Sequence, residues 1–342
     1  MAHPHFTAAS FLAHCAAGLP LPGQRIGIMV EGENVAALVF YPPKRSGLRG
    51  TVLVIHGMSP MGNDDPRLTA VCSAFARCGY IAVSPLFPDI AAFTISGQSV
   101  SRIAQTLCAV ASDTSLCPSG ALSLFAPSFS AALAIIASSG EDTAGLVRAI
   151  CSVGAFSSVR RVIHDLLTRE DFDEYGRLII LQNFICHAPG FDMRASEVLR
   201  EAALDNGLGR EAPRHPALLA GLEAPLRLRI TRLLRDPQYR LSRWRAIESR
   251  SGEVRNLMER LSVVDRIGGL KAGVALIHGS RDNVIPPGES IALQHRLCEL
   301  GVASKLCVTP LISHGDARGG FSPFRAWDLL TAFAFFFRHS AA

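Results

Sequence analysis

The stretch "TVLVIHG" (51–57) limits the fold more than any other part of the chain. A continuous β-branched run with no polar alternation fits a strand covered on both faces, as in the middle of a parallel sheet. Parallel strands need crossover connections, and the chain supplies helical patterns at the right intervals. "PRLTAVCSAFARCGY" (66–80) carries apolar residues at helical spacing and closes on Gly79, a C-cap signal. The alternation continues through "IAVSP" (81–85, strand), "SVSRIAQTLCAVAS" (99–112, helix), "ALSLFA" (121–126, strand), "FSAALAIIASSG" (129–140, helix) and "AICSVGAF" (149–156, strand). Ahead of it, "RIGIMVEG" (25–32) and "VAALVFY" (35–41) read as a hairpin with its turn at Gly32-Glu33-Asn34.

The pattern then breaks. From about residue 157 to 271 the segments are helical, among them "VRRVIHDLLTRE", "YGRLIILQNFICHA", "ASEVLREAALDNG" and "EVRNLMERLSVV". Strands resume at "GVALIHGS" (273–280) and "SKLCVTPL" (304–311), with "SIALQHRLCELG" as the helix between them and "PFRAWDLLTAFAFFFRH" as a terminal helix. The expected architecture is α/β, a doubly wound, mostly parallel sheet with an all-helical insertion. Residues 1–156 form the first part of the core, 157–271 the helical insertion, and 272–342 the second part of the core.

Composition narrows the function classes. Of 342 residues, 49% are hydrophobic and 18% charged, so there is ample material for a large core. The formal charge of +5 is spread along the chain, without zinc-finger spacing, an RNP-like aromatic motif or a lysine-rich tail, so no nucleic-acid partner is expected. Nine cysteines with no CxxC read as small core residues, Cys72, Cys108, Cys151 and Cys298 among them. No spacing matches a metal site, and neither GxGxxG nor a Walker pattern occurs, so no cofactor is expected. The first residues, "MAHPHFTAASFLAHCAAGLP", lack a basic n-region and a sustained apolar core, and "LLTAFAFFF" is too short to span a bilayer. A cytoplasmic protein without membrane insertion is expected, of unknown oligomeric state.

The chemistry-bearing stretch is "APSFSA" (126–131), small–x–Ser–x–small between a strand and a helix. Two serines compete for the central place. Choosing Ser130 would carry the strand through Pro127, which lacks a ladder donor, so Ser128 is the better nucleophile. Asp282 follows a later strand in "HGSRDNVIPP", and His314 follows the last strand in "PLISHGD". A serine hydroxyl needs an imidazole to take its proton, and the imidazole needs a carboxylate to fix its tautomer. Asp316 is a rival acid, but two residues from His314 its approach to the imidazole is awkward. Each residue also has a plainer reading: Ser128 as a helix N-cap, Asp282 as a turn residue, His314 as a surface loop residue. His56 and His278, each before a glycine, are expected to set loop structure. Cys186 and His187 are expected to pack, since neighbours on a helix point apart.

These motifs resemble the α/β-hydrolase superfamily. "HGM" (56–58) resembles its oxyanion-loop turn, "HGSRDNVIPP" its Gly-x-x-Asp acid turn, and "ISHGD" its His-Gly base loop. The resemblance implies a Ser128–Asp282–His314 triad with an oxyanion hole from the backbone N–H groups of Met58 and Phe129. It implies a helical cap, a small-molecule acyl substrate, and cleavage of an ester or thioester through an acyl-enzyme. Family elbows commonly run Ser-x-Gly-Gly-Ala-x-Ala. This chain has Ser128-Phe129-Ser130-Ala131-Ala132-Leu133-Ala134, with Ala126 on the other side, so its turn is expected to be tighter. An acyltransferase or thioesterase with the same triad is an alternative, and a non-catalytic binding protein on this scaffold is another.

The stretch "LRLRITRLLRDPQYRLSRWR" (226–245) holds seven arginines and one acidic residue. Leu226, Ile230, Leu233 and Leu234 recur at helical spacing, so arginine stems covering the core are one reading. Recognition of an anionic substrate group by Arg227, Arg229 or Arg232 is the other.

Overall fold

The structure, a computed structural model, describes residues 3–43, 47–312 and 323–341. Its centre is an eight-stranded sheet of β1 (Gln24–Val30), β2 (Glu33–Phe40), β3 (Gly50–Val54), β4 (Tyr80–Pro85), β5 (Leu122–Pro127), β6 (Val147–Val153), β7 (Gly273–Gly279) and β8 (Ser304–Thr309). The spatial order is β1-β2-β4-β3-β5-β6-β7-β8. β2 runs antiparallel to both β1 and β4, and every other pairing is parallel. Val52, Leu53 and Val54 of β3 are fully buried and β7 is buried throughout, as two-faced coverage requires. Edge strand β8 alternates between buried and open positions instead.

The β1–β2 turn lies one step earlier than the Gly32–Asn34 turn expected from sequence. Val30 pairs with Glu33, which leaves Glu31 and Gly32 as the two central residues, with φ of 47° and 86°. Two positive φ values are what a two-residue turn needs to match the twist of its strands. Glycine serves the second position at no steric cost.

One helix escaped the periodicity reading. Pro4–Ala17 is capped by the His3 side chain, starts on proline and ends on Gly18 in the left-handed region. Its apolar residues do not sort onto one face: Phe11 is buried while Phe6 is exposed. Phe11 sits 4.5 Å from Phe75 and 4.9 Å from Phe333 of the terminal helix Pro323–Ser340, ring centre to ring centre. The start of the chain thus seals one face of the core.

The cysteines divide. Cys72 and Cys151 are buried, but Cys298 is exposed and Cys108 half-buried, because their helices turn those positions toward solvent. Burial, with Cys78 nearby, pushes the Cys15 thiol up to about 12. No helix among the described residues is long and apolar enough to cross a membrane.

The chain falls into two compact units. One carries the sheet and comprises 1–92, 96–157 and 263–342; the other comprises 93–95 and 158–262. Val263–Arg266 and the residues up to the start of β7 group with the sheet, although sequence placed them in the insertion. The second unit is built from Val159–Thr168, Glu174–Phe184, Met193–Gly207, His215–Ala220, Ala224–Arg235, Pro237–Arg250 and Gly252–Arg260. Inside it, Phe184 and Trp244 meet edge to face at 5.5 Å. Buried Arg240 donates to the carbonyls of Leu167, Leu233 and Leu234, so its charge is spent on helix ends. The detached piece 93–95 is held by side-chain amides: Gln182 and Asn183 both donate to the Phe93 carbonyl at 2.7 Å, and Ile95 N–H donates to Asn183.

Replacing Phe11 by alanine should destabilise the chain by about 3–5 kcal/mol, the usual cost of emptying a buried aromatic site. Urea unfolding of parent and variant measures this, and a change under about 0.5 kcal/mol, typical of surface sites, would contradict the packing role.

Candidate active site

Strand β5 ends on Pro127, and the helix Phe129–Ala137 begins two residues later. Ser128, between them, has φ 58° and ψ −136°. A non-glycine residue there is strained by about 1–3 kcal/mol and stays only if its surroundings hold it. They do: Ser128 N–H donates to Val153 O at 2.6 Å, and Ser128 O accepts from Ala131 N–H at 3.0 Å. Ser128 occupies the N-cap position, yet its side chain makes no cap hydrogen bond, so the capping reading has no bond behind it. Phe129 opens the helix, which leaves its N–H outside the helical ladder.

The space for this turn is made by glycines on neighbouring strands. A Cβ on Gly57 would lie 3.7 Å from Pro127 and 3.8 Å from Ser128 Cβ, which places the turn bearing Met58 directly beside the elbow. A Cβ on Gly154, whose φ is 71°, would lie 4.0 Å from Ser128 N and 3.5 Å from Asp282 Oδ2. The Ser128 backbone and the Asp282 carboxylate therefore both lie beside Gly154. Sequence reasoning passed over this glycine, although its place after a strand and before "AF" is the kind of turn signal that would have found it.

Asp282 is buried in the turn after β7. Its Oδ1 accepts from the N–H groups of Val284 and Ile285 at 2.9 and 3.0 Å, a side-chain turn that aims Oδ2 back toward Gly154. His278 stands behind it, with Nε2 3.5 Å from Asp282 Oδ2 and 2.8 Å from the Ile285 carbonyl. A carbonyl only accepts, so Nε2 carries the proton; Nδ1 faces Ser290 Oγ at 2.6 Å. His56 likewise holds a loop. Its Nδ1–H donates to Gly57 O at 2.8 Å and its Nε2 accepts from Phe87 N–H at 3.0 Å. That pattern requires the neutral imidazole, and burial lowers its pKa, against smaller raising effects of the Gly57 bond and of Asp89 and Asp65.

Ser130, the competing serine, is fully buried and donates to His56 O at 2.6 Å. His314 and its rival partner Asp316 lie outside the described residues. Ser128, Asp282, Met58 and Phe129 are thus brought to one end of the sheet, at the C-terminal ends of parallel strands. In the helical unit, Arg227 is exposed and donates to the Ala220 carbonyl. Arg232 is exposed, pairs with Asp236 at 3.0 Å and lies over the Tyr239 ring. Arg229 is half-buried against Gly190, and its buried Nε has no acceptor among the described residues. Cys186 is partly buried and His187 exposed, so the two point apart. No group of three or more His, Cys, Asp or Glu among the described residues could hold a metal ion.

No family model matches the chain, and no curated protein matches it. Among solved structures it is similar to acylaminoacyl peptidase from Pyrococcus horikoshii, with 14% identity and a TM-score of 0.55, over 94% of this chain and 42% of that one. It is also similar to a puromycin-hydrolyzing peptidase from Mycobacterium tuberculosis, with 17% identity and a TM-score of 0.52, over 95% and 40% of the two chains. The chain therefore spans less than half the length of these structures.

The neutral His56 predicts acid sensitivity. Its folded pKa lies below the ordinary 6.5, so its contribution to stability is full above 6.5 and is lost as pH falls through the folded value. Thermal unfolding from neutral pH downward should show a shallower decline for His56→Gln, which cannot take up the proton, than for the parent. Identical slopes would remove His56 as the cause.

Proposed function

The chain has the α/β-hydrolase fold, and on that premise we propose that it is a serine hydrolase cleaving a carboxylic ester or thioester. The observation that carries this reading is the strained backbone of Ser128 on a strand-to-helix turn, with the Asp282 carboxylate beside the same Gly154. Fold alone does not supply an activity, but a serine held in this conformation beside a carboxylate is a site.

On this reading Ser128 Oγ attacks the substrate carbonyl while His314 takes the hydroxyl proton. Asp282 holds the imidazole in the right tautomer and offsets the charge it gains. The carbonyl oxygen becomes an oxyanion and receives the N–H groups of Met58 and Phe129. His314 then returns the proton to the leaving group, and water repeats the sequence on the acyl-enzyme. The assignment of His314 rests on its place after β8, the strand next to the one that delivers Asp282.

The helical unit joins the chain after β6 and rejoins it before β7, the strands that deliver Gly154 and Asp282. This supports a role in choosing substrate. Of its three candidate arginines, Arg229 has a buried Nε with no acceptor among the described residues, which favours it as the contact for an anionic substrate group. A second reading, amide cleavage, is favoured by the peptidase names of the two similar structures.

A fluorophosphonate probe followed by peptide mapping should label Ser128, and Ser128→Ala should abolish both labelling and ester turnover. His314→Ala and Asp282→Asn should each lower kcat by about a thousandfold or more in folded protein, with Asp316→Asn mild. An adduct on Ser130, or full activity in Ser128→Ala, overturns the assignment.

Matched p-nitrophenyl esters and p-nitroanilides separate ester from amide cleavage. With esters of neutral and dicarboxylic acids, Arg229→Gln should abolish a preference for the anionic substrate that Arg227→Gln and Arg232→Gln retain. Unchanged preference in all three variants would return these arginines to a solvated face.

A further inference from the structure

An oxyanion site needs its amides aimed before the substrate arrives. Phe129 N–H is aimed by the helix it opens. Met58 lies in the turn after β3, which belongs to no helix or strand.

The bonds around the turn form a chain. Ser130 lies in the first turn of the helix Phe129–Ala137, fully buried, and its Oγ–H donates to the His56 carbonyl at 2.6 Å. This fixes the backbone of His56. The His56 ring is in turn locked, with Nε2 accepting from Phe87 N–H and Nδ1–H donating to Gly57 O. Gly57 O and Met58 N–H belong to the same peptide unit. In a planar trans peptide the N–H points opposite to the C=O, so gripping Gly57 O sets the direction of Met58 N–H. A glycine at 130, as family elbows have, could not make the first bond.

We propose that Ser130 is a positioning residue for the oxyanion site, acting through His56 to aim the Met58 amide. One helical turn then sets both donors: Phe129 N–H directly, and Met58 N–H through the Ser130 hydroxyl. This rests on the reading of Ser128 as nucleophile, and the tie itself can be tested apart from it.

The variants are Ser130→Ala and Ser130→Gly, both without the hydroxyl. In either, kcat for a p-nitrophenyl ester should fall about ten- to a hundredfold, the scale of a misplaced donor, while KM stays within about twofold. Affinity for a trifluoromethyl ketone, which forms a charged tetrahedral adduct on the nucleophile, should fall by the same factor as kcat. A serine that only packs would lower the melting temperature and leave kcat and ketone affinity of the folded protein unchanged. That result in either folded variant overturns the proposal. Amide hydrogen exchange reads the tie without activity: Phe87, bonded to His56, should exchange faster in both variants, and unchanged exchange there overturns the proposal too. If the parent itself fails to react with fluorophosphonate while Phe87 exchange still quickens in the variants, the nucleophile reading fails and the tie stands.

Discussion

The hydrogen bond from Ser128 N–H to Val153 O joins two strands at the point where one of them must turn sharply into a helix. With the bond from Ala131 N–H to Ser128 O, it holds a serine at φ 58° against its preference for the ordinary regions. The bond to Val153 also spaces β5 from β6, so that Gly154, one residue beyond the acceptor, comes to lie beside both Ser128 and Asp282. A larger residue at Gly154 would carry both a forbidden φ and a side chain set against both. The geometry of the site follows from how two neighbouring strands end.

The loss of the elbow glycines is compensated rather than merely tolerated. Ala126 and Ser130 are both small and fully buried. At Ser130 the added atoms find an acceptor, which removes the cost of burying a hydroxyl. The histidines follow the same logic. His56 sits after β3 and His278 near the end of β7; both are buried and use both ring nitrogens on neighbouring groups. Each bonds a backbone group of an irregular segment, His56 at Gly57 and Phe87 and His278 at Ile285.

The helical unit is organised on different principles. Its helices are capped by Asp173, Asp192, Asp236 and Ser251, and a buried arginine closes carbonyls at helix ends. Asp205 gathers the N–H groups of Arg214 and His215 and the Arg210 guanidinium; burial alone would raise its pKa, but these donors hold it well below the usual carboxylate range. Arg229 stands apart in this setting, since its neighbours Arg227 and Arg232 are engaged with carbonyls or a carboxylate.

All eight strands were legible in the sequence because each is a short apolar run between turn signals, and that local pattern also placed Ser128 and Asp282 at strand ends. The sequence argument for Ser128 over Ser130 turned on Pro127, which β5 nevertheless includes as its last residue, paired with Val153. What periodicity could not reach was anything dependent on contacts between distant segments. The helix Pro4–Ala17 has no single apolar face, and Phe11 acquires its role only when Phe75 and Phe333 are brought to it. The grouping of 93–95 with the helical unit depends on amides about ninety residues away in the chain. The hairpin turn shifted by a residue because φ signs, not residue names, decide which pair sits at its apex. Gly154 and the Ser130–His56 bond gained their meaning only once β3, β5, β6 and β7 lay side by side. Strand identity is written in neighbouring residues; the site is written in distances between strand ends, and only the folded sheet sets those.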